Sequence, residues 1–156
     1  MNEIFYMRKA ILEAKKAADR NEVPVGAVLV KNNKILSSGY NQVIKLADPS
    51  AHAEIIAIRE AARKTQNYRL IDCHLFVTLE PCLMCAGAIF NSRISSVTYA
   101  TCDPKTGVAE SNLRIFENRS LNHHAITKGG VLDEESVKLL KRFFLTKRQL
   151  KQADKK

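Results

Sequence analysis

The N-terminal third of the chain alternates between amphipathic and fully apolar segments. Apolar residues recur at helical spacing across residues 3–20, with lysine and arginine between them, which predicts an amphipathic helix. Residues 23–30 form a nearly continuous apolar run, typical of a strand covered on both faces. Turn-forming residues at 31–34 separate this run from a second apolar segment at 35–40, which predicts an antiparallel pair of strands.

The remaining chain continues the alternation of helices and strands. After the helix-start sequence Asp48-Pro49-Ser50, the pattern predicts helices at 51–64 and 82–91, and strands at 75–79, 97–100 and 125–127. Pro81 is expected in the first turn of the helix at 82–91. The alternation predicts a helix-covered sheet in an α/β fold.

A final helix is predicted after Val131-Leu132. Its first turn is acidic, and its apolar residues are expected on a buried side, namely Leu139, Leu140, Phe143 and Phe144. A basic tail that frays from about residue 150 follows.

Composition favours one soluble domain spanning 1–156, because 46% of the residues are apolar and no linker divides the chain. We find neither a secretory signal nor a membrane span in the sequence, so a cytoplasmic location is expected. The net charge of +9 favours a polyanionic partner. The basic C-terminal residues have two readings, a solvated helix face or an RNA contact: Lys141, Arg142, Lys147, Arg148, Lys151, Lys155 and Lys156.

The candidate chemistry lies in two short motifs, His52-Ala53-Glu54 and Pro81-Cys82-Leu83-Met84-Cys85. One imidazole and two thiolates are three zinc ligands, and three protein ligands leave a coordination position for water. His-x-Glu followed by Pro-Cys-x-x-Cys is the signature of zinc-dependent nucleobase deaminases. We expect His52 and the two cysteines to converge from the first turns of two different helices.

The motifs also predict a mechanism. Zinc lowers the pKa of its bound water to about 7, and the resulting hydroxide attacks the amino-bearing ring carbon of the base. Glu54, which is not a ligand, is expected to move protons from the water to the ring nitrogen and to the departing ammonia.

A different kind of zinc site stays open from these residues alone. Cys73 or Cys102 would close a structural site as a fourth ligand, although both are expected to be buried and unrelated to the metal. His74, His123 and His124 are expected to be surface or core polar residues.

The likeness to a known family extends well beyond the metal motifs. The segments that carry it are 23–28, 48–55, 78–89, 92–94 and 103–107, the last reading Asp-Pro-Lys-Thr-Gly. They resemble the bacterial tRNA-specific adenosine deaminases, which convert the wobble adenosine, at position 34 of an arginine tRNA, to inosine by attack at adenine C6.

This resemblance implies a three-layer α/β/α cytidine-deaminase-like fold with a central mixed five-stranded sheet. It also implies one zinc per subunit, a homodimer, and an anticodon stem-loop bound near the subunit boundary.

The resemblance further implies roles for four residues that contact the substrate. Asn41 would contact the target nucleotide, Asp103 and Lys105 would flank it, and Phe144 would line the pocket; these residues are equally compatible with turns or core packing. The family's basic C-terminal helix makes Arg142, Lys147 and Arg148 candidates for the RNA backbone.

Three positions depart from the family pattern. Asn21 replaces a usual glycine, Glu110 stands at a usual Gly-Ser pair, and His124 replaces a basic residue. These departures affect the expected RNA contacts but leave the metal motifs intact.

Two rival functions are compatible with parts of the sequence. One is a zinc deaminase of free guanine, cytosine or nucleosides, which would explain the metal motifs without using the positive charge. The other is a zinc-stapled RNA-binding module without catalysis, which would need four protein ligands.

Overall fold

The structure is a computed structural model that describes residues 1–155. Its helices are α1 (Glu3–Asp19), α2 (Val43–Leu46), α3 (Ala53–Thr65), α4 (Leu83–Asn91) and α5 (Asp133–Ala153). Its strands are β1 (Gly26–Lys31), β2 (Lys34–Tyr40), β3 (Cys73–Leu79), β4 (Ser96–Thr101) and β5 (Ile126–Lys128). Lys156, part of the expected basic tail, lies outside the described residues.

The five strands form one mixed sheet in the order β2-β1-β3-β4-β5. Strand β1 pairs antiparallel with both β2 and β3, whereas β4 pairs parallel with both β3 and β5. The predicted mixed five-stranded sheet, with an antiparallel pair at its start, is confirmed. Because β3 and β4 are parallel, their carboxyl ends meet at one edge of the sheet.

Helices cover both faces of the sheet. Helices α3 and α4 pack on one face around Leu75, Val77 and Val97, and α1 packs on the other against Val28 and Phe76. Helix α5 lies beside α1 and contacts β3 and β4. The predicted three-layer α/β/α arrangement is therefore confirmed.

Close backbone contacts and tight turns fix the first hairpin. Asn32 and Asn33 both have positive φ, 51° and 58°, the conformation that a two-residue hairpin turn requires. Gly26 brings β1 so near to α1 that a Cβ there would lie 2.1 Å from the carbonyl oxygen of Ala10. Asn21, which departs from the family's glycine, adopts φ 63°, a conformation that asparagine tolerates better than most residues.

Helix α5 differs from the prediction. We expected Leu139, Leu140, Phe143 and Phe144 on a buried side, but Phe144 is 44% exposed and the other three are only partly buried. The start of the helix is held against the sheet, because the hydroxyl of Ser136 donates a hydrogen bond to the carbonyl of Thr78. The later turns line open cavities, so their apolar side chains stay partly exposed. The helix continues to Ala153, past the expected onset of fraying near residue 150.

None of the helices described for residues 1–155 combines the length and apolar character needed to cross a membrane.

Candidate active site

Two helix starts bring three metal-ligating side chains together. His52 is the N-cap residue of α3 and Cys82 is the N-cap residue of α4, both in extended conformation, and Cys85 lies in the first turn of α4. Nδ1 of His52 lies 3.6 Å from Sγ of Cys82 and 3.5 Å from Sγ of Cys85. The predicted convergence is confirmed, although His52 precedes the first turn in which we expected it.

The cluster has the dimensions of a tetrahedral zinc site. Zinc–sulfur and zinc–nitrogen bonds of about 2.3 and 2.0–2.1 Å, at a tetrahedral angle, separate sulfur from nitrogen by about 3.6 Å. The observed separations of 3.5 and 3.6 Å agree with that value. These three residues therefore fit one zinc ion bound between Nδ1 of His52 and the two cysteine sulfurs.

Local turns hold each ligand segment. The carboxylate of Asp48 accepts hydrogen bonds from the backbone and hydroxyl of Ser50, which shapes the approach to α3. Pro81 lies before the N-cap residue of α4 and so outside the first turn in which we expected it, and its carbonyl accepts from the N–H of Val108. A backbone bridge between Cys82 and Gly107 adds a second link to that loop.

The two cysteines differ in protonation. A hydrogen bond from the Cys85 thiol lowers the pKa of Cys82 to about 4, although burial opposes this shift. The same pairing, together with burial, raises the pKa of Cys85. Cys82 is therefore the more acidic thiol of the pair, and metal binding would displace the proton that Cys85 keeps.

The other candidate ligands stay apart from this cluster. Among residues 1–155, the one group placed to hold a metal comprises His52, Cys82 and Cys85, without Cys73 or Cys102. Cys73 is buried as expected, but the expected burial of Cys102 is wrong. Cys102 follows the last residue of β4 and faces the exposed loop beyond it, where its thiol donates to Glu110.

Two of the three remaining histidines have structural partners, and the third, His124, is exposed. A ring nitrogen of His74 lies 2.7 Å from the hydroxyl oxygen of Ser96, and one of His123 lies 2.7 Å from the carbonyl oxygen of Ile94. Both are polar residues outside the metal cluster, as expected.

Glu54 lies beside the metal cluster but is not part of it. Its side chain is 3% exposed, it lies in the first turn of α3, and it lines the same cavity as His52 and Cys82. Burial raises the pKa of its carboxyl group to about 7, against opposing hydrogen bonds and the charge of His52. A carboxyl group of this kind can both accept and release a proton near neutral pH.

The cavity around Glu54 has a volume of about 550 Å³, which suits a nucleobase-sized ligand. Asn41 lines it and is nearly buried, and its Oδ1 accepts a hydrogen bond of 2.8 Å from the N–H of Ala53. Asn41 thus supplies the cap of α3 that His52 does not. Because its oxygen is engaged, the amide nitrogen is the group of Asn41 that is available to a ligand in the cavity.

Asp103 and Phe144 also line this cavity, whereas Lys105 does not. The carboxylate of Asp103 accepts hydrogen bonds from Lys105 and Thr106, so it also stabilises its own turn. Lys105 lies instead in an adjoining cleft of about 350 Å³, which it shares with Phe144 and Arg148.

The three candidate RNA-backbone cations lie at cavities at or near the site. Lys147 lines the active-site cavity itself, and Arg142 lines a neighbouring cavity between α1 and α5. Arg148 lies in the cleft with Lys105. The structure therefore distributes these cations around α5 instead of gathering them at one point.

A residue that sequence reasoning missed, Glu80, organises the substrate-side loop. Its buried carboxylate accepts hydrogen bonds from the backbone N–H groups of Asp103, Ala109, Glu110 and Ser111, and from the hydroxyl of Ser111. Burial opposes its ionisation, but these hydrogen bonds together hold the pKa of Glu80 below its ordinary value. Its signal in the sequence is an acidic residue between an apolar strand and a zinc ligand.

Glu22 is a second buried carboxylate that the sequence pattern did not reveal. It accepts hydrogen bonds from the N–H groups of Ile44 and Lys45 at the start of α2. Glu22 and Ile44 both line the active-site cavity, so this contact fixes one of its walls.

Comparison with known proteins agrees with this geometry. The family model of the cytidine and deoxycytidylate deaminase zinc-binding region matches residues 1–101, which include all three ligands and Glu54. A tRNA-specific adenosine deaminase of Haemophilus influenzae is 46% identical over 150 residues, which cover 96% of this chain and 87% of that protein. The chain belongs to the tRNA-specific adenosine deaminase family.

Solved structures relate this tRNA adenosine deaminase family member to two activities. A structure from studies of A-to-I editing by tRNA:A34 deaminases is 40% identical, has a TM-score of 0.85, and covers 87% of this chain and 99% of that one. A guanine deaminase of Bacillus subtilis is 39% identical with a TM-score of 0.62, covering 65% of this chain and 66% of that one. The chain is a zinc-dependent hydrolytic deaminase.

Proposed function

We propose that this member of the tRNA-specific adenosine deaminase family converts adenosine to inosine at the wobble position, 34, of a tRNA. The observation that carries the proposal is the cavity in which the zinc cluster, Glu54, Asn41 and Asp103 meet beside the cationic helix α5. The likeness to A34 deaminases over 87% of the chain supports the choice of substrate. The anticodon stem-loop of an arginine tRNA is the proposed partner.

In this proposal Glu54 is the proton shuttle. When bound, zinc supplies Lewis acidity, which makes water nucleophilic at neutral pH. Glu54 takes one proton from the attacking water and delivers it to the ring nitrogen next to adenine C6. It then takes the second proton from the hydroxyl group formed at C6 and delivers it to the amino group, so that the C–N bond breaks and ammonia leaves. Its burial beside the ligands, with a pKa of about 7, suits both directions of transfer.

Other residues of the cavity hold the extruded base. The amide nitrogen of Asn41 donates to an acceptor of the target nucleotide, since its oxygen already caps α3. Asp103 and Phe144 bound the opening of the cavity, and Lys105 lies beside the neighbouring nucleotides. A stacked adenine cannot present C6 to the metal, so the base must leave the stack.

The cations of α5 contact the RNA backbone in this proposal. Arg142, Lys147 and Arg148 lie at three adjoining cavities and form no ion pair within residues 1–155. Phosphate groups are suitable partners for such charges.

The test is inosine formation at position 34 of an arginine tRNA transcript by zinc-loaded protein. Wild type is expected to form inosine, and Glu54→Gln to lose about 10²–10⁴-fold in rate, because the shuttle cannot ionise. Glu60→Gln is the matched control, since Glu60 lies on the same helix but pairs with Arg63 at the surface. Equal rates for the two variants would remove Glu54 from the mechanism.

Deamination of free guanine is the second candidate, favoured by the likeness to the guanine deaminase of Bacillus subtilis. Ammonia release from guanine, cytosine and nucleosides is measured in parallel with the tRNA assay. Activity on these compounds without activity on tRNA would replace the tRNA proposal with this one.

We also propose a homodimer in the cytoplasm. Leu83 and Met84, at the start of α4, are 53% and 38% exposed beside the metal cluster, which leaves an apolar surface for a second copy. Leu83→Asp is expected to shift the protein to monomer in sedimentation equilibrium, and a wild-type monomer would exclude the dimer.

A further inference from the structure

Three cavities follow one another along the seam between α1 and α5. The active-site cavity shares Asn21, Phe143 and Lys147 with a second cavity of about 540 Å³. The second cavity in turn shares Lys15 and Arg142 with a third, of about 240 Å³. We call the second and third cavities together the α1–α5 groove. It leads from the active site to the middle of α1.

The groove has a cationic rim and an apolar floor. Lys15 of α1 and Lys138, Arg142 and Lys147 of α5 provide its positive charge, and Asp19 and Glu135 are its acidic lining residues. Leu139 and Phe143 form part of the floor. Single-stranded nucleic acid favours this combination, because cations follow its phosphates while aromatic and apolar surface receives its bases.

Charge along α5 points to the same class of partner. After its acidic first turn, the helix has no acidic residue through Ala153, but it contains the cations Lys138, Lys141, Arg142, Lys147, Arg148 and Lys151. Ion pairs within residues 1–155 involve none of these six, and none involves Lys15. Cations kept close together without carboxylate partners repel one another until an anion binds.

We propose that the α1–α5 groove binds the phosphate backbone of the substrate RNA on one side of the extruded nucleotide, with Lys15 and Arg142 as phosphate contacts. This inference rests on the proposed function, because the RNA reaches the groove from the active-site cavity. It assigns a role to α1, which contributes no residue to the metal cluster. The proposal also gives Arg142 and Arg148 different roles, because Arg148 lies in a different cleft and not in the groove.

The test compares two double variants that remove the same charge. Lys15→Gln/Arg142→Gln alters the groove. Lys9→Gln/Lys34→Gln is the matched control: Lys9 lies over the ring of Phe5, and Lys34 begins β2. Affinity is measured for a tRNA anticodon stem-loop whose target nucleotide cannot be deaminated, and kcat/KM is measured for the same stem-loop with adenosine at that position. Both measurements run from 0.05 to 0.3 M salt.

The groove variant is expected to bind the stem-loop about 20-fold more weakly near 0.15 M salt. Its slope of log affinity against log salt should be shallower by about 1.4–1.8, since each phosphate contact contributes about 0.7–0.9. Its KM should rise in proportion with little change in kcat. The control pair should keep the wild-type slope, which would show that net charge alone does not explain the effect.

The proposal is overturned if the groove pair retains the wild-type slope and affinity, or if it behaves like the control pair. A change in self-association, seen by sedimentation with unchanged RNA affinity, would make the groove a protein contact and also overturn it. Failure of the proposed function is distinct: in that case wild type itself forms no inosine on any RNA. Circular dichroism of both pairs establishes that each is folded.

Discussion

Replacing Glu80 is expected to release the loop beside the active site. Its carboxylate accepts four backbone N–H groups and one hydroxyl from residues 103–111. Of these donors, the N–H of Ala109 is buried, whereas those of Asp103, Glu110 and Ser111 are only partly buried and can be reached by water.

The expected loss of stability follows from how many of these hydrogen bonds are buried and how many are partly exposed. An orphaned buried N–H costs about 1–3 kcal/mol, and each partly exposed hydrogen bond contributes about 0.5–1.5 kcal/mol net. Glu80→Ala loses one buried and four partly buried hydrogen bonds, and therefore about 3–9 kcal/mol of loop stability. Glu80→Gln keeps an oxygen that accepts from the N–H groups of Ala109, Glu110 and Ser111. It loses the two partly buried bonds from the N–H of Asp103 and the hydroxyl of Ser111, which amount to about 1–3 kcal/mol.

Amide hydrogen exchange measures the loop directly, and denaturant unfolding measures the whole domain. The exchange protection of the Ala109 amide should fall most in Glu80→Ala and less in Glu80→Gln. Deamination should fall in the same order, because the loop carries Asp103 and contacts the segment of Cys82. Glu117→Gln, which breaks an exposed ion pair with Arg114, is the control and should change stability by less than about 1 kcal/mol.

The effect of Glu80 also depends on pH. Since the folded pKa of Glu80 lies below its ordinary value of 4.5, its stabilisation is present above about pH 4.5 and is lost as pH falls through the folded pKa. The difference in unfolding free energy between wild type and Glu80→Gln should narrow below that pH. Wild-type protection of Ala109 in both variants, at any pH, would refute the role of Glu80.

Three further predictions concern separate features. Gly26→Ala should cost at least about 1–3 kcal/mol in denaturant unfolding, because its Cβ would lie 2.1 Å from the carbonyl oxygen of Ala10; an unchanged midpoint would contradict this. Glu110→Gln should speed alkylation of Cys102 at pH 8 on the order of tenfold, because the hydrogen bond to Glu110 raises the thiol pKa to about 11; peptide mapping gives the rate, and equal rates would exclude the interaction. Zinc binding should release the proton of Cys85, so calorimetric heats should differ between buffers of different ionisation enthalpy, and identical heats would argue against a retained thiol.

The sequence predicted the sheet and the metal cluster because both depend on local signals. Continuous apolar runs and the turn at Asn32-Asn33 were sufficient for the hairpin, and ligand type and spacing were sufficient for His52, Cys82 and Cys85. Two questions stayed open from the sequence: whether the two helix starts met, and whether Cys73 or Cys102 completed the site as a fourth ligand. Both depend on distances, and the structure answers them.

Predictions that depended on what lies opposite a residue were less successful. Cys102 follows a buried strand, but a position just beyond the strand's end gave no indication that the side chain faces solvent and Glu110. Phe144 lies four residues after Leu140, at helical spacing, yet periodicity cannot tell whether the facing surface is a sheet or an open cavity. Glu80 was missed because its partners lie 23–31 residues away in a loop without a regular pattern.

The double use of Asn41 restricts how this pocket can be redesigned or diversified. One end of its amide holds the first N–H of the helix that presents His52, and the other faces the cavity. A substitution chosen to accept a different base therefore also disturbs a metal ligand, unless the new side chain keeps an acceptor at the same reach. Aspartate meets that requirement, whereas larger or apolar residues do not. Changes of substrate preference in this scaffold are thus easier to obtain from the loop at 103–111 or from α5 than from position 41.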